Sequence, residues 1–558
     1  MNQARAADVL VQTLAAHGVD RVFCVPGESY LAVLDALHDH PDIDVVTCRH
    51  EGGAAFMAVA DARLTGRVGV ALVSRGPGAT NASIAVHTAQ QDGEPMLLLV
   101  GQVERRDRGR GAFQEVDYVQ TFGDMAKWVR EVDDPEQVPE AVARAIQIAS
   151  SGTPGPVVLA LPEDMLTDAV TAAAAQPLPI PRALPGASDI AAVAAILARA
   201  ERPLLIAGGA LRGSRNGGAG PQALLAASEA WQLPIGLTFK QQDMIDNAHP
   251  HYGAHLSYGI PKRVVDAVSK ADLILAVGTR LGDVTSQNYA FPRAPLPEQP
   301  LIHVHADPGV IGRVHAATLG IVADPTAFLA ALAAHPVPSL PSGRAGWIAS
   351  LHDVHVDMHR FDPVERPDGV HFGAVSAVLN AMLPPDAIVT IDAGNHSTFV
   401  HRHLAFNGRR VLLSAISGAM GFGMPAGVAA ALRHPDRQVV TFIGDGGTLM
   451  TGNELATAIQ HGGKPKVFIS NNGSYATIRL HQERAFPGRR MATNLANPDF
   501  AKFGEAFGAL GLRLDRQADC ESVVRRALDH DGAVVVDVRS SLEQISAYTT
   551  LTALKPGA

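Results

Sequence analysis

Cysteine is scarce: Cys24, Cys48 and Cys520 are the only three in 558 residues. That number and spacing exclude a disulfide framework or a thiolate metal cluster, and fit a reducing cytoplasm. No apolar run reaches the ~20 residues needed to cross a bilayer. The N-terminus reads as an amphipathic helix and lacks the apolar centre of a signal peptide. Basic tracts are missing too. There are 46 basic and 55 acidic residues, for a formal charge of -9, and the densest positive run, Arg105 to Arg110, is broken by Asp107 and Gly109. No nucleic-acid partner is expected from such a surface. Charged residues are only 18% of the chain against 47% hydrophobic, which excludes disorder and leaves material for several cores.

At about 100–200 residues per domain, the length suggests three domains. Two stretches rich in Pro, Ala and Gly, near 171–186 and 333–346, read as linkers and leave three segments of similar size. Each segment alternates short apolar runs with helical patterns. VGVALVS, PMLLLVG and PVVLALP fall in the first; RPLLIAGG, ADLILAVG and PLIHVHAD in the second; AIVTIDAG, QVVTFIGDG, KVFISNNG and AVVVDVR in the third. Continuous Val/Ile/Leu strands separated by helices predict an α/β fold of three doubly wound parallel sheets. Ligands of such sheets sit at the carboxyl ends of the strands.

Two strand ends in the third segment carry chemistry. Gly444-Asp445-Gly446 follows one apolar run; after 24 further residues, Asn471-Asn472-Gly473 follows another, with a helical pattern centred on Glu454 and Leu455 between them. Mg²⁺ favours hard oxygen donors and often takes one or two protein oxygens plus phosphate. Asp445 offers a carboxylate, Asn472 an amide oxygen, and the backbone near Ser474 a carbonyl. Gly446 and Gly447 allow backbone N–H groups to approach a diphosphate. Either motif alone is an ordinary turn; the pair, each after a buried strand, is not.

With these motifs the chain resembles, over essentially its whole length, the thiamine-diphosphate enzymes of the acetolactate synthase and pyruvate oxidase group. The resemblance implies an N-terminal pyrimidine-binding domain at 1–175, a central Rossmann-like domain at 186–335 and a C-terminal diphosphate- and magnesium-binding domain at 355–550. Phe23 to Ser29 resembles the loop whose Pro-Gly turn, here Pro26-Gly27, borders the aminopyrimidine. Arg49-His50-Glu51 resembles the segment whose Glu contacts ring N1′. A carboxyl held in an apolar wall keeps its proton more tightly, so Glu51 is expected to share a proton with that nitrogen and so help remove the cofactor's C2 proton. Gly76 to Asn81 resembles the GPGATN loop, and Gly111 to Glu115 the loop whose Phe and Gln, here Phe113 and Gln114, face the reacting centre. Gly394, Asn395 and His396 match the segment holding the diphosphate from the other side. Gly418 to Pro425 matches the one under the thiazolium, where Met420 would prop the cofactor, and Tyr475 follows the metal loop. A homodimer with active sites at the interface, often paired into a homotetramer, is implied.

Two positions depart from the acetohydroxyacid synthases. Val284 stands where those enzymes carry an Arg after an Asp-Asp pair, and His481 where they carry a Trp. Both departures bear on acceptor recognition. The expected activity is therefore a thiamine-diphosphate-dependent C–C lyase or carboligase acting on a 2-oxo acid or related ketone, with the acceptor open. The alternatives are an oxalyl-type coenzyme A thioester decarboxylase and a non-catalytic cofactor-binding relative. FAD is open as well: Ala207-Gly208-Gly209-Ala210 can take a dinucleotide or coenzyme A, or form a plain strand-to-helix turn.

Overall fold

The computed structural model describes residues 4–212 and 218–555. The N-terminal helix spans Ala6–Ala16; residues 1–3 of the run expected there lie outside the described residues. Three six-stranded sheets, parallel throughout, carry the chain. The first uses Arg21–Cys24, Asp44–Thr47, Gly69–Val73, Met96–Gln102, Trp128–Glu131 and Pro156–Pro162. With strands numbered by chain order, their spatial order is 2-1-3-4-6-5. The third sheet, Ile388–Ile391, Val411–Leu413, Val439–Gly444, Lys466–Asn471, Leu510–Leu514 and Val534–Arg539, has the same order. The middle sheet, Pro203–Ala207, Ile235–Thr238, Tyr252–Leu256, Leu273–Val277, Leu301–His305 and Leu319–Val322, runs 3-2-1-4-5-6, the dinucleotide-binding order. The α/β class expected from the apolar runs is the one observed.

The first and third sheets are joined through helices. Helix Glu51–Thr65 lies against helix Gly423–Arg433, and their Ala- and Gly-rich faces share one core. Small side chains lose little rotamer freedom and let backbones approach closely. Phe56 and Phe422 meet edge-on at 5.5 Å. Arg433 grips the buried Asp61 through two bonds of 2.7 and 2.8 Å and also reaches Asp20. Such a pair is geometrically specific, and costly to break by removing one partner.

The segment after 333 differs from its reading as a plain linker. Residues Arg344–His359 form a helix that packs on the middle sheet. Trp347 Nε1 donates to Pro203 O at 2.9 Å, and the His355 ring lies 4.4 Å from that of Tyr252. Arg344, fully buried, donates to Leu197, Ala200 and Trp231 carbonyls. Leu197 and Trp231 end two helices, so one guanidinium satisfies carbonyls that their last turns leave open.

Candidate active site

Two half-sites form at the crevices where strand order reverses in the outer sheets. The C-terminal one lies between the ends of Ile388–Ile391 and Val439–Gly444. Asp445 is buried at the start of helix Asp445–Thr451. Its Oδ1 accepts from Gly446 N at 2.8 Å, and its Oδ2 from Gly473 N and Asn497 Nδ2, both at 2.8 Å. Burial pushes this carboxyl above its usual range, a cost that a cation would relieve. Asn472 Oδ1 accepts from Ser474 N at 3.0 Å, the Ser474 hydroxyl donates to Thr493 O, and the Ser474 carbonyl accepts from Ala476 N. Among the described residues no three His, Cys, Asp or Glu side chains are grouped to hold a metal. A cation here would thus take one carboxylate, one amide and further oxygens, a donor set that suits Mg²⁺ and not zinc.

The cradle around these groups leaves no room for side chains. A Cβ on Gly446 would lie 2.4 Å from the Tyr475 ring and 3.4 Å from Met420 Cε; one on Gly447 would lie 2.1 Å from Asp392 Oδ2. Asp392, fully buried, accepts from Gly421 N and Gly423 N at 3.1 Å each and so holds the loop that carries Met420. Burial pushes its carboxyl up to about 6. His396 begins helix His396–His403, packed on Gly394 and Gly444. Its Nε2 is buried without a hydrogen-bond partner, and burial holds the ring down to about 4. A neutral imidazole with an orphaned nitrogen fits an anionic ligand group that accepts from it. Asn395 is already committed: it donates to Ile545 O and accepts from Thr477 Oγ1, both at 3.0 Å.

The N-terminal half-site gathers three loops. Glu51 opens its helix, with His50 as N-cap accepting from Gly52 N at 3.0 Å. Glu51 Oε2 accepts from Asn81 Nδ2 at 2.9 Å, and Gly78 lies under the same carboxylate. Gly27 packs on Ser74, whose hydroxyl lies 3.0 Å from that of Ser29, while Pro26 is exposed beside them. Gly76, at φ +51°, has its open side 2.7 Å from Gln114 O. Gln114 itself sits at φ +64°, a conformation that costs a non-glycine residue about 1 kcal/mol or more and marks a constrained loop. Phe113 beside it is 75% exposed. Among the described residues, no hydrogen bond or ion pair joins Glu51, Asn81 or Gln114 to Asp445, Asn472, Ser474 or Tyr475.

Asn497 escaped the sequence reading. It bridges Asp445 Oδ2 and Asn471 Oδ1, and Asn471 in turn donates to Asp537. A lone Asn 25 residues beyond Asn472 carries no local signal.

The middle sheet contributes a cavity of about 840 Å³ at its own crevice, lined by Gly209, Lys240, Arg280, Arg313 and Val284 and reaching Gly394 and Gly418. Gly208 is wedged against Gly278 O. Lys240 donates to Ala415 O, and burial lowers its amine to about 8. At the rim, Tyr258 OH lies 3.4 Å from His481 Nε2.

Three family models describe thiamine pyrophosphate enzymes: their N-terminal TPP binding domain matches residues 4–121, their central domain 190–332 and their C-terminal TPP binding domain 392–538. The chain belongs to the thiamine pyrophosphate enzyme family. It is 32% identical over 551 residues to the acetolactate synthase large subunit of Parasynechococcus marenigrum (strain WH8102), covering 95% of this chain and 87% of that one. It is 31% identical to the acetolactate synthase isozyme 2 large subunit of Escherichia coli (strain K12), over 99% and 98%. It is 30% identical to the mitochondrial acetolactate synthase catalytic subunit of Saccharomyces cerevisiae, over 94% and 79%. This thiamine pyrophosphate enzyme is of the acetolactate-synthase type. The three cysteines are free and buried, and no helix among the described residues is long and apolar enough to cross a membrane.

Proposed function

We propose that this thiamine pyrophosphate enzyme makes or breaks the C–C bond beside the carbonyl of a 2-oxo acid or related ketone, in the cytoplasm, with Mg²⁺ anchoring the cofactor. Asp445, Asn472 and the Ser474 carbonyl hold the metal. His396 donates to a phosphate oxygen, and Gly394, Gly446 and Gly447 leave space for the diphosphate. Asn395, tied to Ile545 and Thr477, shapes that loop and holds it still. Gly418 and Met420 support the thiazolium, with Tyr475 packed beside them. Bound thiamine diphosphate supplies a nucleophilic carbon and a cationic ring that takes up the electron pair released at the substrate carbonyl. Glu51, steered by Asn81, holds a proton at N1′ of the pyrimidine, whose edge rests on Pro26. Gln114 donates to the substrate's carbonyl oxygen as charge develops on it, and Phe113 covers the reacting centre against water. The observation that carries this reading is the buried Asp445 carboxylate, held by the Gly446, Gly473 and Asn497 N–H groups and, among the described residues, in no ion pair.

The same reading makes the enzyme a homodimer, itself pairable into a tetramer. Among the described residues no hydrogen bond or ion pair joins Glu51, Asn81 or Gln114 to Asp445 or Asn472, and each half-site has exposed apolar neighbours: Ile84 and Phe113 on one, Leu449 and Met450 on the other. A second copy would cover both and bring Glu51 of one subunit to Asp445 of the other. Glu51→Gln and Asp445→Asn should each abolish turnover in a 2-oxo acid screen. Mixing the two variants should restore about a quarter of the wild-type sites, because half the pairs are mixed and each has one intact site. No restoration on mixing would refute the shared site; no turnover of any 2-oxo acid by the loaded enzyme would refute the substrate class.

The cationic cavity at the middle crevice favours a nucleotide-bearing second ligand, FAD or coenzyme A. Lys240, Arg280 and Arg313 suit a diphosphate. A flavin spectrum in the purified protein selects the first; binding of coenzyme A by calorimetry selects the second and the thioester decarboxylase with it.

A further inference from the structure

One buried carboxylate has no part in the chemistry above. Glu454 is fully buried, at the break between the turn Gly452–Glu454 and helix Leu455–Gln460 of the C-terminal domain. A carboxylate is buried only at a high cost unless it is hydrogen-bonded. One of its partners, Arg49, lies across the domain boundary, and the other, Thr457, one turn further along its own segment. Both oxygens accept from Arg49 N at 3.2 Å, and Oε2 accepts from Thr457 Oγ1 at 2.6 Å. The same C-terminal segment holds the same run twice more: His461 Nε2 accepts from Thr47 N at 3.1 Å, and Gln460 Oε1 accepts from Arg49 Nη2 at 2.5 Å. Residues 47–49 lead directly into the helix whose first residue is Glu51.

Gly53 records how tightly this clamp is closed. The three atoms nearest a Cβ there all belong to Glu454: Oε1 at 2.4 Å, Cδ at 2.7 Å and Cγ at 2.8 Å. Gly53 sits in the first turn of helix Glu51–Thr65, where glycine is a poorer helix former than alanine. The side chain of Glu454 thus stands nearest to any side chain placed at this position. A negative group beside a helix N-terminus is also well placed for the amides exposed there.

We propose that Glu454 is a positioning residue for Glu51: it clamps residues 47–49 and, through Gly53, the first turn of the helix, so that the Glu51 carboxylate is aimed at the pyrimidine. This rests on the role given to Glu51 above, and the test separates the two. In the cofactor-free full-length chain, amide hydrogen exchange over residues 47–53 should rise in Glu454→Ala and in Gly53→Ala, with the rest of the chain unchanged. In protein loaded with thiamine diphosphate and Mg²⁺, exchange of the cofactor's C2 proton should slow by about a hundredfold, the scale of a ~1 Å misplacement of a reacting group, while cofactor affinity stays within about threefold. Gly53→Ala should add nothing in the Glu454→Ala background, since the three atoms nearest its Cβ are gone. Glu454→Gln keeps the shape and one acceptor oxygen; it should slow C2 exchange less, and it serves where the alanine variant does not fold. Normal C2 exchange in Glu454→Ala, or additive effects of the two substitutions, overturns the proposal. Normal C2 exchange in Glu51→Gln would instead overturn the role of Glu51, with the clamp still read from the cofactor-free chain.

Discussion

Acid should destabilise the cofactor-free protein far more than its modest net charge suggests, through histidines buried in the neutral form. Burial holds His255 to about 3, His305 to about 4, His355 to about 2, His396 to about 4 and His403 to about 3. In the unfolded chain each titrates near 6.5. The folded values lie below the unfolded ones, so the unfolded state binds more protons in this window. Stability is complete above pH 6.5 and is lost as pH falls toward the folded values. Integrated from pH 7 to pH 5, each histidine withdraws about 1.8 kcal/mol, and the five about 9 kcal/mol. Buried carboxyls oppose them; burial raises Asp92, Asp445 and Glu454. Burial pushes Glu94 up to about 7 and Asp392 up to about 6. Both take up protons in the folded state over the same interval and together return about 3.5 kcal/mol. From these seven groups the net loss is about 5.5 kcal/mol, on the scale of a whole domain's stability, with a slope of about 4 kcal/mol per pH unit near pH 5.5.

The loss should be local at first. His255 and His355 belong to the middle-domain side, while His401 and His403 lie on helix His396–His403 of the C-terminal domain. The His255 and His401 rings are 5.3 Å apart. Hydrogen exchange at pH 5 should therefore rise first in helices Arg344–His359 and His396–His403. Urea unfolding of the cofactor-free chain at pH 7, 6 and 5 gives the slope. A stability that is flat or rises between pH 7 and pH 5 would refute the assignment of these rings as buried and neutral.

Three substitutions test the site and its frame. Gly447→Ala drives a methyl into Asp392 Oδ2, frees the Gly421 and Gly423 amides, and should cost at least about 2 kcal/mol by thermal unfolding. Arg433→Met strands the buried Asp61 carboxylate and should cost about 3–5 kcal/mol by urea midpoint; adding Asp61→Leu should recover much of it. Asn497→Leu removes a donor from Asp445 Oδ2 and should weaken Mg²⁺ binding about 10- to 100-fold by calorimetry, with little change in the fold.

The apolar runs legible in the sequence were interior strands. Val439–Gly444 and Met96–Gln102 are covered on both faces and read as unbroken hydrophobic stretches. The edge strands escaped. Asp44–Thr47 and Trp128–Glu131 border the first sheet, and their residues are partly exposed. Leu319–Val322 alternates with Gly320 and an exposed Val322. Half-covered strands that short have no periodicity to distinguish them from loops. The helix expected between Asp445 and Asn472 was legible, but its break at Glu454 was not, because the break answers to Arg49 and Gly53, some 400 residues away in the chain. Site residues were legible where Gly, Asp or Asn clusters follow a strand; Asn497 and Glu454 lie in ordinary surroundings and act through contacts that only the folded chain creates.

The shared 2-1-3-4-6-5 order of the outer sheets explains why the site comes in halves. In both, the chain reverses between strands 1 and 3, so each sheet opens one crevice at its carboxyl edge. One crevice presents a carboxylate and an amide on a helix start, Glu51 with Asn81, suited to a ring that exchanges a proton. The other presents Asp445 and Asn472 in a glycine cradle, suited to a metal and a diphosphate. Neither crevice carries both sets of groups, and within one chain the contact between their domains runs through Glu454 and Arg49, away from Glu51 and Asp445 themselves. The middle sheet, with its 3-2-1-4-5-6 order, opens a third crevice of another kind, and its cavity runs to Gly394 and Gly418. A ligand seated there would touch Gly394 and Gly418 on the diphosphate side and also His87 and Gln91 of helix Pro77–Asp92, the helix that carries Asn81, so a substitution at Val284, in the cavity wall, is expected to act on what this third crevice holds and not on the groups that face the cofactor.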